Sequence, residues 1–222
     1  MKARLDKRAI AVAHVANDDP DRPILKSVCI KDGEILATDG FILARRKIET
    51  EGKAMKIEEA RLIAERVKEK LSPHCDRIEI AGSIRREKPT VHDIDIVLIE
   101  KPGSLLEINE VLASIGSMDM NGSKIKRLWY GDTEPGISID IYVATPATWA
   151  TLLLIRTGSK ENNIRLCSLA RQLGLQLKAN GDGLFNESGQ RLAGDTEQSI
   201  YEVLRIPYQE PNEREVKGRY AP

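Results

Sequence analysis

Several absences narrow the reading first. Formal charge is zero, with 34 Lys and Arg against 34 Asp and Glu. Any affinity for nucleic acid must therefore come from local basic patches, not a global field. The three cysteines, Cys29, Cys75 and Cys167, are scattered. No close pair suggests a zinc site or a disulfide framework, and a reducing cytoplasm is the simplest setting. No apolar run is long enough to span a bilayer. The N-terminal stretch MKARLDKRAIAVAHVANDDPDRP has neither the apolar core nor the cleavage pattern of a signal peptide. Internal repeats and low-complexity segments are also missing. The two tryptophans, Trp129 and Trp149, read as core residues rather than base-stacking platforms. His14 and His74 read as surface residues.

What is present is a globular composition. At 222 residues and 41% hydrophobic, the chain can bury a real core in one large domain or a few small ones. Its punctuation suggests three units, about 1–53, 54–145 and 146–222. The first predicts a helix over 3–16, broken by Pro20 and Pro23, then two strands, ILKSVCI and EILATDGFILARRKIE, around Lys31-Asp32-Gly33. The second opens with IEEARLIAERVKEKL. Ile57, Ala60, Ile63, Ala64, Val67 and Leu71 share one face of that helix, and Pro73 ends it. RIEIAGS, HDIDIVLIE, KIKRLWYG and GISIDIYVA read as strands. A helix over SLLEINEVLASIG stops at Gly116. In the third unit Thr145-Pro146 is a helix start, followed by ATWATLLLIRTG. A helix capped by Ser159 ends at Gly174, a small β element follows, and DTEQSIYEVLRI is the last helix.

The chemistry concentrates in AGSIRREKPTVHDIDIV, residues 81 to 97. Residues i and i+2 of a strand share a face. Asp93 and Asp95 therefore project together, while Ile94, Ile96 and Leu98 face the core. His92 points away from Asp93 and reads as structural. Two adjacent carboxylates repel, and each loses hydration when enclosed. A divalent cation relieves both costs, and an all-oxygen donor set favours magnesium or manganese. In SIDIYVA, Asp140 alternates with Ile139 and Ile141, so it too lies on the polar face of a strand. If the two strands are neighbours, three aspartates converge. That suits two metals about 4 Å apart in phosphoryl transfer. Gly82-Ser83 lets backbone amides approach a phosphate, and Ser83 adds a hydroxyl. Arg86 can bind phosphate in a bidentate manner, whereas Arg85 reads as a surface salt-bridge partner. No Walker lysine follows.

Gly-Ser, nine intervening residues, then Asp-apolar-Asp-apolar resembles the shared motif of the polymerase-beta-like nucleotidyltransferase superfamily. The C-terminal unit sharpens the resemblance. RTGSKENN and GLFNESGQRLAGDTEQSIYEVLRIPYQEPNERE resemble the C-terminal domain of family X DNA polymerases. The similarity covers about residues 54 to 215. It implies an α+β fold: a palm of mixed sheet flanked by helices (54–145), a small α/β C-terminal domain that binds nucleotide and template (146–222), and a short N-terminal helix-and-hairpin unit. It implies that Asp93, Asp95 and Asp140 are catalytic metal ligands for Mg2+ or Mn2+, with Asp140 nearest the primer 3′-hydroxyl. Gly82, Ser83, Arg86, Thr157, Gly158 and Asn163 would bind nucleotide. Lys124 would lie along the primer-template DNA, and Lys126 and Arg127 would add phosphate contacts. The expected partners are gapped or primer-template DNA and dNTPs, and the oligomeric state is left open.

The chain also departs from the family. Ile155 and Arg156 stand where aromatic residues usually precede Thr-Gly, and Cys167 replaces a template-reading arginine; Cys167 reads as packing. The resemblance implies a minimal form without lyase and helix-hairpin-helix domains. PILKSVCIKDGEILATDGFILARR resembles the first helix-and-two-strand unit of bacterial sliding clamps, half of one clamp domain. Three roles stay open for it: laying Lys2, Arg4, Lys7 and Arg8 on DNA, pairing with another copy, or covering the palm. The leading functional expectation is a family X DNA polymerase filling short gaps in repair. The alternatives are a template-independent nucleotidyltransferase and an accessory module with a vestigial site.

Overall fold

The computed structural model describes residues 29–31, 34–38, 43–47, 54–130 and 136–215. Two compact units divide the chain, Met1–Glu51 and Gly52–Pro222. In the first, strands β1 (Cys29–Lys31), β2 (Glu34–Thr38) and β3 (Leu43–Lys47) form an antiparallel sheet in that order. EILATDGFILARRKIE was expected to be one strand. It supplies two, β2 and β3, which pair with each other. A stretch of that length exceeds an ordinary strand and pairs back on itself. The helix expected over 3–16 lies outside the described residues.

The second unit opens with β4 (Met55–Lys56) and helix α1 (Ile57–Leu71). Ala60, Ala64, Val67 and Leu71 are buried, and Ile57 and Ile63 pack beside them, so the apolar face predicted from spacing is the face that docks. Glu58 and Glu59 in the first turn and Lys68 and Lys70 in the last suit the helix dipole. Strand β5 (Cys75–Ile80) leads into a single helical turn, α2 (Gly82–Arg85). Then come β6 (Thr90–Val91), which pairs with β4, and the long strand β7 (Asp93–Glu100). Helix α3 (Leu105–Ile115) buries Ile108 and Leu112. It stops before Gly116, as expected, but Gly116 is extended rather than left-handed. A Cβ there would lie 1.9 Å from the Trp129 carbonyl oxygen, so glycine serves close strand approach.

Gly116 opens an unpredicted strand, β8 (Gly116–Asn121), which forms a hairpin with β9 (Ile125–Tyr130). Strand β10 (Ser138–Val143) completes a five-stranded sheet ordered β5-β7-β10-β9-β8. β7 and β10 are parallel at its centre, and the other pairs are antiparallel. Ile94, Ile96, Leu98, Leu128, Ile139 and Ile141 point to one face and form the main core with α1 and α3. Val97 and Tyr142 point to the other face, where they pack with Ala81, Trp149, Leu152 and Leu153.

Helix α4 (Trp149–Thr157) carries this second face. It begins at Trp149, later than expected from Thr145-Pro146, because the Thr145 amide donates to Thr148 Oγ1 at 2.9 Å and closes a turn first. The helix is apolar almost all round and correspondingly buried. Its other side supplies Leu154 and Ile155 to a third core. That core is built with α5 (Lys160–Gln172), a sheet of β11 (Leu175–Lys178), β12 (Gly183–Asn186) and β13 (Arg191–Ala193), and α6 (Glu197–Val203). Ser159 caps α5 through the Asn162 amide, and Thr196 and Ser199 form a capping box on α6. Cys167 packs against this core, as expected of it.

Candidate active site

Parallel pairing of β7 and β10 places Asp140 opposite Asp95 and Ser138 opposite Asp93. The three acids thus share one face of the sheet, reversed from the isoleucines between them. Their surroundings differ. Asp93 stands at the exposed rim, Asp95 is half-buried and Asp140 is 3% exposed. Burial and the charges of Asp93 and Asp140 push the Asp95 carboxyl up to about 8; a Tyr142 hydrogen bond and the Arg156 charge oppose the rise. Asp93 is raised as well, by desolvation and then by Asp140, against His92, Arg127 and Arg86.

Asp140 is held on both oxygens by Arg127 from β9, its direct register partner. Nε donates to Oδ1 at 2.7 Å and Nη2 to Oδ2 at 2.8 Å. Tyr142 Oη donates to Oδ2 at 3.3 Å. Sequence reasoning missed Tyr142, although its i+2 spacing from Asp140 put it on the same face. Burial, followed by the charges of Asp95 and Asp140, raises the Tyr142 phenol, so it remains a donor.

Gly82 and Ser83 sit against these acids. Gly82 adopts φ +58°, and a Cβ there would lie 2.0 Å from Asp95 Oδ2. Only glycine lets the backbone come this close. Ser83 Oγ is buried and has no hydrogen-bond partner within the chain, and an unpartnered buried hydroxyl is costly unless a ligand satisfies it.

The two arginines separate in a way their sequence does not disclose. Arg85 Nη1 donates to Glu197 Oε1 at 2.5 Å and to Thr157 Oγ1 at 2.7 Å. Glu197 in turn accepts from Arg214 Nη2 at 2.6 Å, and Arg214 is fully buried. Arg85 is therefore an internal brace rather than the surface partner expected. Arg86 donates from Nε to Glu215 Oε1 at 2.5 Å and from Nη1 to the Thr157 carbonyl. Thr157 is itself fully buried and offers no free hydroxyl. Gly158 has φ +72°, and a Cβ would lie 3.1 Å from Arg86 Nη1. Asn163 donates to the Ile155 carbonyl at 2.8 Å and keeps a buried, unpartnered Oδ1. Arg156 stacks over the Tyr142 ring at 4.1 Å, with a buried, unpartnered Nε.

The expected DNA contacts fare unequally. Lys124 is exposed. Lys126 is 2% exposed, and its ammonium donates to Asn121 Oδ1 at 2.7 Å inside the β8–β9 hairpin. It alternates onto the core side of β9, so it presents no charge to a DNA backbone. Arg127 is committed to Asp140. Trp149 is core as expected, whereas Trp129 is only half-buried; His92 is exposed.

Among the described residues, no group of three His, Cys, Asp or Glu side chains is already arranged to hold a metal. The donor set nevertheless fits a hard divalent cation. It is all oxygen, Asp140 raises both Asp93 and Asp95 and Asp93 adds to the rise at Asp95, and Gly82, packed on Asp95, precedes a serine whose buried hydroxyl is unsatisfied. No helix of the described residues is long and apolar enough to cross a membrane.

Comparison with known proteins bears on the fold and on the C-terminal part of the chain. The family model for the DNA polymerase beta thumb matches residues 152–215. The DNA polymerase/3′-5′ exonuclease PolX of Bacillus subtilis (strain 168) is 30% identical over 160 residues, covering 69% of this chain and 27% of the relative. DNA polymerase lambda of Rattus norvegicus is 28% identical over 159 residues, covering 60% of this chain and 28% of the relative. The chain thus spans little more than a quarter of the curated relatives it matches. A crystal structure of Leishmania infantum polymerase beta, a ternary P/T complex, superposes with TM-score 0.63 at 22% identity. It covers 74% of this chain and 77% of that one. The gap complex of the same protein also gives 0.63. The fold is that of polymerase beta, and residues 152–215 match the model of its thumb.

Proposed function

We propose that this chain adds deoxynucleotides to a primer 3′ end, filling short gaps during DNA repair. The observation that carries the reading is the register of Asp140 against Asp95, with Gly82 packed onto Asp95. It sets carboxylates and a phosphate-binding turn side by side. In this reading residues 54–145 form the palm, and 146–222 form the domain that binds nucleotide and template; the thumb match over 152–215 supports that division.

Asp93, Asp95 and Asp140 would hold magnesium, or manganese in its place. Such ions, when bound, neutralise charge on the attacking and leaving oxygens of an in-line displacement. The remaining work falls to the chain. Gly82 lets backbone approach the triphosphate, the Ser83 hydroxyl finds its missing partner there, and Arg86 binds phosphate oxygens. Arg127 and Tyr142 fix the orientation of Asp140, which accepts the proton of the primer 3′-hydroxyl. Asn163, anchored on the Ile155 carbonyl, offers Oδ1 to the incoming nucleotide. Thr157 acts from behind, as the post to which both arginines are tied.

The test is primer extension on gapped DNA with all four dNTPs and Mg2+, beside the same primer unpaired and a reaction with chelator. Extension confined to the templated, metal-containing reaction is expected. Equal extension of the unpaired primer would move the reading to a template-independent nucleotidyltransferase.

A further inference from the structure

Glu215 occupies an unexpected place. One of its carboxylate oxygens lies 2.5 Å from Arg86 Nε and the other 3.3 Å from Lys88 Nζ. Both cations flank the Gly82-Ser83 turn: the Lys88 amide donates to the Ser83 carbonyl, and the Arg86 amide to that of Gly82. The Glu215 carboxylate thus bridges two cations that flank a turn whose Ser83 hydroxyl is buried and unpartnered. Its neighbour Arg214 is fully buried, donates to Glu197 and to the Gln209 carbonyl, and offers its own carbonyl to Ser159 Oγ at 3.0 Å. The backbone on the Arg214 side of Glu215 is therefore held in place, and the glutamate side chain extends from that anchor.

We propose that Glu215 is a tethered counter-anion that covers Arg86 and Lys88 in the empty protein and competes with polyphosphate for them. The inference rests on the reading of Arg86 as a phosphate-binding group. Three features support it. The pair is only partly exposed, Arg86 at 11% and Glu215 at 34%, so water screens it incompletely. Burial opposes an ionised Glu215, yet the hydrogen bonds and charges of Arg86 and Lys88 outweigh that and hold its carboxyl below the ordinary value. The anchor at Arg214 gives the carboxylate a high effective concentration, so it returns once a polyphosphate departs. Glu215 thus weakens substrate and pyrophosphate binding together, which favours product release.

A site whose cations are covered nine-tenths of the time binds about tenfold more weakly than the open site. The experiment titrates inorganic tripolyphosphate into the full chain by calorimetry in metal-free buffer. It compares wild type with Glu215→Gln and, as a charge-matched control, Glu202→Gln on the exposed side of α6. Gap-filling KM for dNTP and inhibition by pyrophosphate are measured in parallel. Glu215→Gln is expected to bind tripolyphosphate about tenfold tighter, with KM for dNTP and the pyrophosphate inhibition constant falling similarly and Glu202→Gln unchanged. Unchanged or weaker tripolyphosphate binding by Glu215→Gln overturns the inference, whatever the extension assay shows. Tighter binding without extension by any of the proteins keeps the inference and removes the polymerase reading instead.

Discussion

Gly82→Ala isolates the geometry on which the proposed chemistry depends. The substitution has two separable costs. The first is backbone strain, because φ is +58° and an L-residue there costs about 1–2 kcal/mol. The second is collision: the new methyl would meet Asp95 at Oδ2 (2.0 Å), Cγ (2.8 Å) and Cβ (3.0 Å). Ordinary contacts between such atoms are about 3.5 Å or more, so Asp95 Oδ2 must retreat by roughly 1.5 Å. A displacement of about 1 Å in a reacting constellation costs on the order of 100-fold in rate. Gly103→Ala supplies the control. Gly103 also has positive φ, +85°, but nothing lies within 4 Å of its Cβ position. Both variants should lose about 1–2 kcal/mol in urea unfolding, with a further ~1–3 kcal/mol for Gly82→Ala from overpacking. Single-turnover gap filling at saturating dNTP should fall about 100-fold or more for Gly82→Ala and stay near wild type for Gly103→Ala. Near-wild-type turnover by Gly82→Ala, or an equal fall in both, would refute the argument that Gly82 exists to admit Asp95.

Asp140→Ala should abolish extension and leave circular dichroism unchanged, because the isoleucine face of β10 is untouched; substantial turnover by the folded variant would remove Asp140 from the catalytic set. Arg214→Met should cost about 3–5 kcal/mol in urea unfolding, because it strips a buried partner from Glu197; a loss below about 1 kcal/mol would mean that Arg85 alone satisfies that carboxylate. Arg156→Phe tests sugar choice. A flexible arginine stacked on Tyr142 blocks a 2′-hydroxyl less firmly than a ring would, and a block of about 2–3 kcal/mol is roughly 30- to 150-fold in selectivity. The ratio of kcat/KM for dNTP over rNTP should rise in the variant, and an unchanged ratio would assign sugar choice to the backbone.

Much of this molecule is written in short-range periodicity. Alternation in DIDIV and SIDIY assigns acids to one face and isoleucines to the other before any partner strand is known, because a strand's period is local. The spacing of Ala60, Ala64, Val67 and Leu71 likewise selects the docking face of α1, and the Gly174 and Ser159 punctuation bounds α5. What the sequence leaves open is everything set by pairing across the fold. GSMDMN carries no strong strand signal, and it becomes β8 only because β9 offers it an edge. Lys126 and Arg127 look alike as neighbouring cations. The pleat sends one into the hairpin and register sets the other against Asp140. Arg85 and Arg86 are likewise indistinguishable in sequence. Tertiary packing ties one to Glu197 and the other to Glu215, residues more than a hundred positions away. The sequence by itself determined which residues are acidic, apolar or conformationally free along each element. Only the tertiary structure decided which of them meet, because long-range contacts follow from how whole faces are buried, and local pattern holds no record of that.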